Sequence, residues 1–334
     1  MNRICRIRCS SSVRGLFQAV SLACVVFFCR LHALSYESPP DYTGTIPELH
    51  LIVNFWAPDK KLAPHRVEVR ASIAINMANE HINIVRLLLE STPTYTCKES
   101  SSELFAILRE AGLRPHATLL CSNYAVEGIS YYSMFEAARA PQHADAVVIV
   151  ANADMVFDNS VRLVKRINAG TIGLIATQGF SLDAPKKLLS LYEQTISAHG
   201  RRAINRCYDE KVNGGNRTSW DAFVFQPRCL RIRKENFIDK ANGGLFHMNQ
   251  NGAEAAALNA VLTSSYFQQA VQLCDHVYMW HFHHLPKTHR NGSEEFVDHP
   301  YTWPTACLGL MDCLTPSPNT KFPECARASH LEAY

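Results

Sequence analysis

Residues 146–158, AVVIVANADMVFD, decide the fold class of this chain. Residues 146–151 are all apolar, which is typical of a parallel strand with helices on both faces, whereas a half-exposed antiparallel strand alternates. Asp154 and Asp158 follow this predicted strand. Because open α/β sheets bind their ligands at the carboxyl ends of the strands, an acid at this position is a candidate ligand-binding residue.

A purely structural explanation of these two acids is also open. Asp is favoured in turns and as the N-cap of a helix. Asp154 would then begin a turn, and Asp158 would cap a helix predicted at 159–168. For a lone Asp after a strand this explanation is the stronger one, so the choice depends on the rest of the chain.

Strands and helices alternate along the chain on both sides of this segment. Hydrophobic patterns predict strands at 49–56, 82–89, 117–121, 146–151, 171–177 and 220–226. They predict helices at 64–80, 100–111, 130–139, 184–198 and 254–262. Such a βαβ series winds into a mainly parallel sheet through right-handed crossovers. The predicted fold class is therefore α/β, with Asp154 at the ligand-binding edge.

The charge balance argues against a nucleic-acid partner. The 334-residue chain has 33 Lys and Arg against 30 Asp and Glu, a formal charge of +3. Five of the arginines lie within the first 30 residues, so the remainder carries 28 basic and 30 acidic residues. A nucleic-acid groove requires a clustered basic stripe, and the body has only short pairs such as Arg201-Arg202. We therefore expect no nucleic-acid partner.

The N-terminus is predicted to be a targeting segment. Arginines precede an apolar run at 15–29, which has the length of a signal-peptide core and is shorter than the ~20 residues of a full span. Residues 1–34 are therefore a signal peptide or a signal anchor. Basic residues ahead of the run favour a cytoplasmic N-terminus, with the body in the secretory lumen. An anchored chain is a single-pass ER or Golgi membrane protein, and a cleaved one is secreted.

Composition divides the rest of the chain into three parts. A stem rich in Pro, Ser and Thr is predicted at 35–47, a main α/β domain at 48–303, and a cysteine-containing extension at 304–334. The hydrophobic content of 47% suffices for one sizeable core, so one main domain is expected.

Cysteine usage predicts an oxidising compartment. Eight of the twelve cysteines lie beyond the targeting segment, at positions 97, 121, 207, 229, 274, 307, 313 and 325. Their wide spacing does not suit a zinc site, so disulfides are favoured over buried free thiols. The pairing is open, because eight cysteines allow many connectivities. Two sequons, at Asn216 and Asn291, would accept glycans in the same compartment.

Short segments spread along the body carry a family resemblance. The most specific is 151–158, ANADMVFD. The others are Glu68-Val69, Ile73, Asn76, 87–90 (LLLE), 132–135 (YSMF), 219–225 (SWDAFVF), 251–254 (NGAE) and 281–283 (HFH). Together they resemble a poorly characterised glycosyltransferase-like family of the GT-A, or nucleotide-diphosphosugar transferase, fold. The resemblance covers residues 49 to about 290. It implies a GT-A-like, Rossmann-type domain at 48–303, with a mixed, mainly parallel sheet flanked by helices.

The resemblance implies a nucleotide-sugar donor site at the end of the central strand. Asn152-Ala153-Asp154 stands where related enzymes carry an Asp-x-Asp metal motif. Manganese or magnesium is often held by one or two carboxylates together with substrate phosphates, so Asp154 suffices as a metal ligand. The ion would neutralise charge on the departing nucleoside diphosphate. Asn152 departs from the motif, and it either weakens metal binding or contacts the ribose or nucleotide instead.

Asp221 and Glu254 are the candidate catalytic acids. A transferase that inverts the anomeric centre requires a carboxylate that takes the proton of the acceptor hydroxyl. Glu254 begins a predicted helix where the family usually places an Asp, although stabilisation of the helix dipole explains it equally well. Asp221 opens a strand beside Trp220 and Phe223, where an unpaired carboxylate is costly to bury. A bond to donor-sugar hydroxyls or to a backbone turn is the preferred prediction for Asp221.

A histidine-rich segment, WHFHHLPKTHR, occupies residues 280–290. On a strand, His281 and His283 face the same side, and GT-A enzymes often complete the metal shell with a late His. Packing under a loop is the alternative for both. Lys287 and Arg290 are candidate contacts of the donor diphosphate, with solvation on a loop as their alternative.

These residues predict a luminal, metal-assisted glycosyltransferase that moves a sugar from a nucleotide-diphosphosugar to a hydroxyl of an unidentified glycan, protein or lipid. The alternative is a catalytically inactive GT-A-like protein that binds carbohydrate or serves as a scaffold in the secretory pathway. Asn152 supports this alternative, because it replaces the first Asp of the metal motif. A metal-dependent phosphoesterase is disfavoured, because no Gly-Asp-x-His or His-Glu-x-x-His pattern accompanies the acids.

Overall fold

An eight-stranded sheet with the strand order β10-β8-β6-β7-β4-β1-β2-β3 forms the centre of the described structure. The strands are β1 (Leu49–Phe55), β2 (Ile84–Glu90), β3 (Thr118–Tyr124), β4 (Val147–Ala151), β5 (Met155–Phe157), β6 (Thr171–Ile175), β7 (Ala222–Phe225), β8 (Gln269–Gln272), β9 (Met279–His281) and β10 (Thr305–Ala306). The α-helices are α1 (Ala63–Ala78), α2 (Cys97–Glu110), α3 (Tyr131–Ala138) and α4 (Ala253–Ser264). Strands β5 and β9 pair separately, as a two-stranded antiparallel sheet.

This computed structural model describes residues 46–55, 63–125, 128–176, 192–193, 220–240, 243–247, 253–273, 276–281 and 305–306. Apart from Ile46, all of them belong to one compact unit, Pro47–Tyr334. No helix within these ranges is long and apolar enough to cross a membrane. The predicted targeting segment at 1–34, nearly all of the stem and nearly all of the C-terminal extension lie outside the described residues.

The sheet is mixed and mainly parallel, as predicted. Strand β7 is antiparallel to both of its neighbours, β4 and β6, and the other neighbouring strands run parallel. The first three strands follow one another outward from β1, and the chain then returns to place β4 on the other side of β1. This reversal is a topological switch point, where open α/β sheets form their ligand crevice. The carboxyl ends of β1 and β4, at Phe55 and Ala151, border that crevice.

The continuous apolar run of β4 is explained by burial on both faces. All five residues of this strand are buried. Val147 and Ile149 pack into one hydrophobic cluster, and Val148 and Val150 pack into the other. Because successive side chains of a strand point to opposite faces, a strand between two cores must be apolar at every position.

The short elements differ most from the sequence prediction. The helix predicted at 159–168 is a 3₁₀ helix, Asn159–Arg166. Strands β5, β8 and β10 were not predicted, because runs of two to four residues show no hydrophobic period. Of the helix predicted at 184–198, only residues 192 and 193 are described.

Two buried asparagines, one in the last turn of α1 and one directly after it, fix the strand that follows the candidate metal motif. The Asn76 side chain donates to the Met155 carbonyl at 2.7 Å and accepts from the Phe157 N–H at 3.1 Å. Asn79 donates to the Phe157 carbonyl at 3.0 Å. These bonds satisfy the backbone groups of β5 that would otherwise be buried without partners, so α1 holds the position of Asp154 through β5.

A disulfide joins Cys97, at the start of α2, to Cys121 in the edge strand β3. The Cα atoms of the two residues are 5.6 Å apart, which is the usual separation for such a bond. Cys229 is disulfide-bonded as well. The expectation of disulfides is confirmed for these three cysteines, whereas Cys207, Cys274, Cys307, Cys313 and Cys325 lie outside the described residues.

Candidate active site

The two acids after β4 have different positions. The Met155 N–H donates to the Asn152 carbonyl at 3.3 Å, which closes a tight turn that contains Asp154. Asp154 is half-buried at the switch-point edge of the sheet. Asp158 is fully buried and N-caps the 3₁₀ helix, accepting from the Ser160 N–H at 2.8 Å. The structural explanation therefore holds for Asp158. It also fits Asp154, which lies in a turn as that explanation predicts, but this turn stands at the carboxyl end of β4, where ligands bind in open α/β sheets.

Asp221 lies at the same edge because β7 runs antiparallel to β4. Its backbone bridges two strand ends, accepting from the Asn152 N–H at 3.1 Å and donating to the Ile175 carbonyl at 3.1 Å. Its side chain accepts from the Asn152 amide at 3.4 Å. The Asp221 residue is 9% exposed. Asn152 and Asp221, which the sequence singled out separately, thus form one bonded unit.

The carboxyl group of Glu254 adds a third acid to this edge. Glu254 is the second residue of α4. Burial, together with the negative charge of Asp221, raises the pKa of the Glu254 carboxyl to about 8. A carboxyl with this pKa is mostly protonated at pH 7, so Glu254 is mostly neutral there.

Tyr131 is a fifth polar residue of the site, and the sequence did not single it out. Its side chain is 1% exposed at the start of α3, and its ring packs edge-on against Phe223 of β7 with ring centroids 6.0 Å apart. Burial and the charges of Glu254 and Asp221 raise the pKa of the phenol well above its usual range. The sequence feature that could have identified Tyr131 is its place after the loop at the carboxyl end of β3, because ligands of open α/β sheets bind near such loops.

Two polar atoms of this site are buried without a hydrogen-bond partner among the residues that the structure describes. They are the Tyr131 hydroxyl and the side-chain oxygen of Asn152. Buried polar groups are almost always paired, so each such atom requires an explanation. A hydroxyl donor and a carbonyl acceptor beside two carboxyl groups form a set that hydrogen-bonds neutral, hydroxyl-bearing molecules.

The structure brings the first of the two predicted late histidines to the strand that pairs with the segment after Asp154. In the β5–β9 ladder, His281 is opposite Met155, the residue that follows Asp154. Only the backbone of His281 is described. His283, Lys287 and Arg290 lie outside the described residues, so their predicted roles remain predictions.

Comparison with known proteins gives distant structural likenesses. No protein-family model matches the chain, and no curated protein matches it. A Pyrobaculum calidifontis mannosyltransferase in complex with GDP-Man and Mn²⁺ is similar at 12% identity and a TM-score of 0.33, covering 75% of this chain and 63% of its own. Residues 1–349 of S. aureus TarS are similar at 12% identity and a TM-score of 0.27, and the match covers 42% of this chain and 38% of the TarS fragment. A 4-diphosphocytidyl-2C-methyl-D-erythritol synthase is similar at 11% identity and a TM-score of 0.29, and the match covers 55% of this chain and 77% of the synthase.

These likenesses assign no function to the chain. It spans 63% of the mannosyltransferase and 38% of the TarS fragment. At such TM-scores the topology and the polar residues of this chain are the stronger evidence. They define an α/β protein with acidic residues at the strand ends beside its switch point.

Proposed function

We propose that this protein is a GT-A-like glycosyltransferase that transfers a sugar from a nucleotide-diphosphosugar to an acceptor hydroxyl. The observation that supports the proposal is that Asp221, which is bonded to Asn152 of the turn that carries Asp154, also interacts with the carboxyl group of Glu254 at the end of the sheet beside the β1–β4 switch point. Open α/β sheets bind their ligands at this edge, and the family resemblance of the central segment is to nucleotide-sugar transferases.

The oxygen-rich edge suits a manganese or magnesium ion. No cluster of three or more potential metal-binding side chains occurs in the described part of the chain. These ions do not require one, because they are often held by one or two carboxylates and the phosphates of the substrate. Asp154 would hold the ion, with His281 and His283 as further ligands. When bound, the ion would offset the negative charge of the departing nucleoside diphosphate.

The remaining residues have distinct roles in the proposed reaction. Glu254 takes the proton of the acceptor hydroxyl as it attacks the sugar. Asp221 bonds sugar hydroxyls and, through Asn152, orients the turn that carries Asp154. Lys287 and Arg290 contact the donor diphosphate.

We propose the lumen of the secretory pathway as the location. The disulfide between Cys97 and Cys121 supports this, because disulfides persist in oxidising compartments. The basic and apolar segment at 1–34 would direct the chain there, either as a cleaved signal peptide or as an ER or Golgi anchor.

A nucleotide-sugar panel tests the proposed function. The luminal body is mixed with uridine and guanosine diphosphosugars, with and without manganese, and its melting temperature is measured. One donor is expected to raise the melting temperature by about 5 °C at ~100-fold excess over its Kd, and only with manganese. A panel without any shift would contradict the proposal.

The second candidate function is a catalytically inactive, carbohydrate-binding protein. It is favoured by one observation, the commitment of the Asn152 amide to Asp221 where the motif of active relatives has a carboxylate. Donor hydrolysis and sugar transfer, measured with and without manganese, separate the two candidates. Binding without turnover supports the inactive protein.

The proposed base predicts a distinct pH dependence. Because the pKa of Glu254 is about 8, the basic form is scarce at pH 6 and predominates at pH 9. The kcat/KM for transfer is therefore expected to rise about tenfold per pH unit below 8 and then to level off. In the Glu254→Gln variant this limb should disappear and the rate should be low throughout. A wild-type profile that is flat from pH 6 to 9 would exclude Glu254 as the base.

A further inference from the structure

We propose that the Tyr131 hydroxyl and the side-chain oxygen of Asn152 bind hydroxyl groups of the sugar moiety of the donor and thereby determine sugar specificity. This inference rests on the proposed function and names the part of the donor that these residues recognise. The Tyr131 hydroxyl and the Asn152 side-chain oxygen are both buried and lack hydrogen-bond partners among the described residues.

The Tyr131 ring is held firmly in place. Its backbone N–H donates to the Phe246 carbonyl at 3.1 Å, and its ring packs edge-on against Phe223. Phe223 lies in β7, two residues after Asp221. Tyr131 lies in the hydrophobic cluster that includes Phe223, and the carboxyl groups of Asp221 and Glu254 are close enough to its hydroxyl to raise the pKa of the phenol.

The chemistry of these groups favours a neutral polyol over a phosphate. Asp221 carries a negative charge that already raises the pKa of its neighbour Glu254, so a phosphate at this position would be repelled. A sugar hydroxyl both donates and accepts hydrogen bonds. Hydroxyl groups of a bound sugar can therefore accept from the Tyr131 hydroxyl and donate to the Asn152 oxygen, which would satisfy both buried atoms. The diphosphate then lies on the Asp154 side of the crevice.

The missing hydrogen bonds also predict how the protein behaves without ligand. A buried hydroxyl without a partner lowers stability, because its desolvation is not compensated. Removing it costs the ligand-free protein nothing, whereas removing a structural hydrogen bond would destabilise the fold. Stability and ligand affinity should therefore respond differently to the same substitution.

The variant Tyr131→Phe tests the inference, because it removes only the hydroxyl. Tyr132→Phe on the same helix is the matched control, since the Tyr132 hydroxyl bonds the exposed Glu136 side chain at 3.1 Å. Titration calorimetry with manganese measures binding of GDP-mannose, UDP-glucose, UDP-galactose and UDP-N-acetylglucosamine, and of GDP and UDP. Tyr131→Phe is expected to weaken binding of the accepted nucleotide sugar about tenfold and to leave binding of its parent nucleotide unchanged. The control should bind both as the wild type does.

Two further measurements separate the possible failures. The melting temperature of ligand-free Tyr131→Phe should equal or exceed that of the wild type, and a fall would show that the hydroxyl has a structural partner. Saturation-transfer NMR with methyl hexosides tests the sugar pocket without a nucleotide. Hexoside binding that Tyr131→Phe abolishes supports the inference even if no nucleotide sugar binds and the proposed function fails. Equal nucleotide-sugar binding by the wild type and Tyr131→Phe overturns the inference alone, and absence of all sugar binding overturns both.

Discussion

Replacing Asp154 with asparagine is expected to abolish the manganese-dependent rise in melting temperature and to lower sugar transfer by about 10²–10³-fold. Asparagine keeps the size of the side chain but removes the negative charge that attracts the ion. A metal ion that stabilises the leaving group contributes several kcal/mol, and each 1.36 kcal/mol of barrier corresponds to about a tenfold change in rate. Because Asp154 is half-buried in a turn, we expect the ligand-free melting temperature to change little.

Asp158→Asn is the matched control for this experiment. Asp158 is four residues further along and caps the 3₁₀ helix through the Ser160 N–H. Asparagine is also a good N-cap, so this variant should fold and should keep its manganese-dependent binding. The two substitutions make the same chemical change, so a difference between them isolates the position of the charge. A full manganese-dependent shift in Asp154→Asn would remove that residue from the proposed metal site.

The parts of the site that could be predicted from sequence are those that depend on residues close together in the chain. An uninterrupted apolar run of five residues cannot be a half-exposed strand, so β4 and its carboxyl end followed directly from residues 147–151. The cap at Asp158 also follows from local preference, because the Asp side chain can bond the backbone N–H two residues ahead.

The assembly of the pocket could not be predicted, because it depends on strand direction and on distant contacts. Asp221 lies at the ligand-binding edge because β7 runs antiparallel to β4. The sequence of a four-residue apolar strand does not indicate whether the strand is parallel or antiparallel to its neighbours. The interaction of Glu254 with Asp221 and Tyr131 joins three elements that are far apart in sequence. A missing hydrogen bond, the property that distinguishes Tyr131, exists only in three dimensions.

The opposite edge of the sheet contains a pair of buried histidines that sequence analysis also missed. His50 at the start of β1 and His143 before β4 are both 0% exposed, and their Nδ1 atoms are 2.5 Å apart. His50 Nε2 donates to the Glu48 carboxylate at 2.8 Å. With that donor assigned to His50, its Nδ1 accepts from the Nδ1–H of His143. His143 Nε2 then carries a lone pair that has no partner among the described residues.

Acid is expected to destabilise the protein through this pair. Burial, His50 and the nearby Arg86 lower the pKa of His143 from 6.5 to about 4. Burial also lowers the pKa of His50, an effect that Glu48 opposes and that Arg86 and Lys165 reinforce. In the unfolded chain His143 takes up a proton near pH 6.5, whereas in the folded protein it resists protonation until about pH 4. Stability is therefore complete above pH 6.5 and falls as the pH drops towards 4, by about 3 kcal/mol for His143.

The measurement is the free energy of unfolding in urea at pH 7.5 and at pH 4.5, for the wild type and for His143→Gln. Glutamine can donate to His50 Nδ1 and does not titrate, so the variant should lose less stability between the two pH values. Glu254 acts in the opposite direction, because its raised pKa stabilises the fold as the pH falls. That contribution is common to both proteins and cancels in their difference.

His116→Gln, at an exposed histidine, should lose as much stability on acidification as the wild type does. If His143→Gln also loses as much stability as the wild type, proton exclusion from the buried pair does not cause the acid sensitivity.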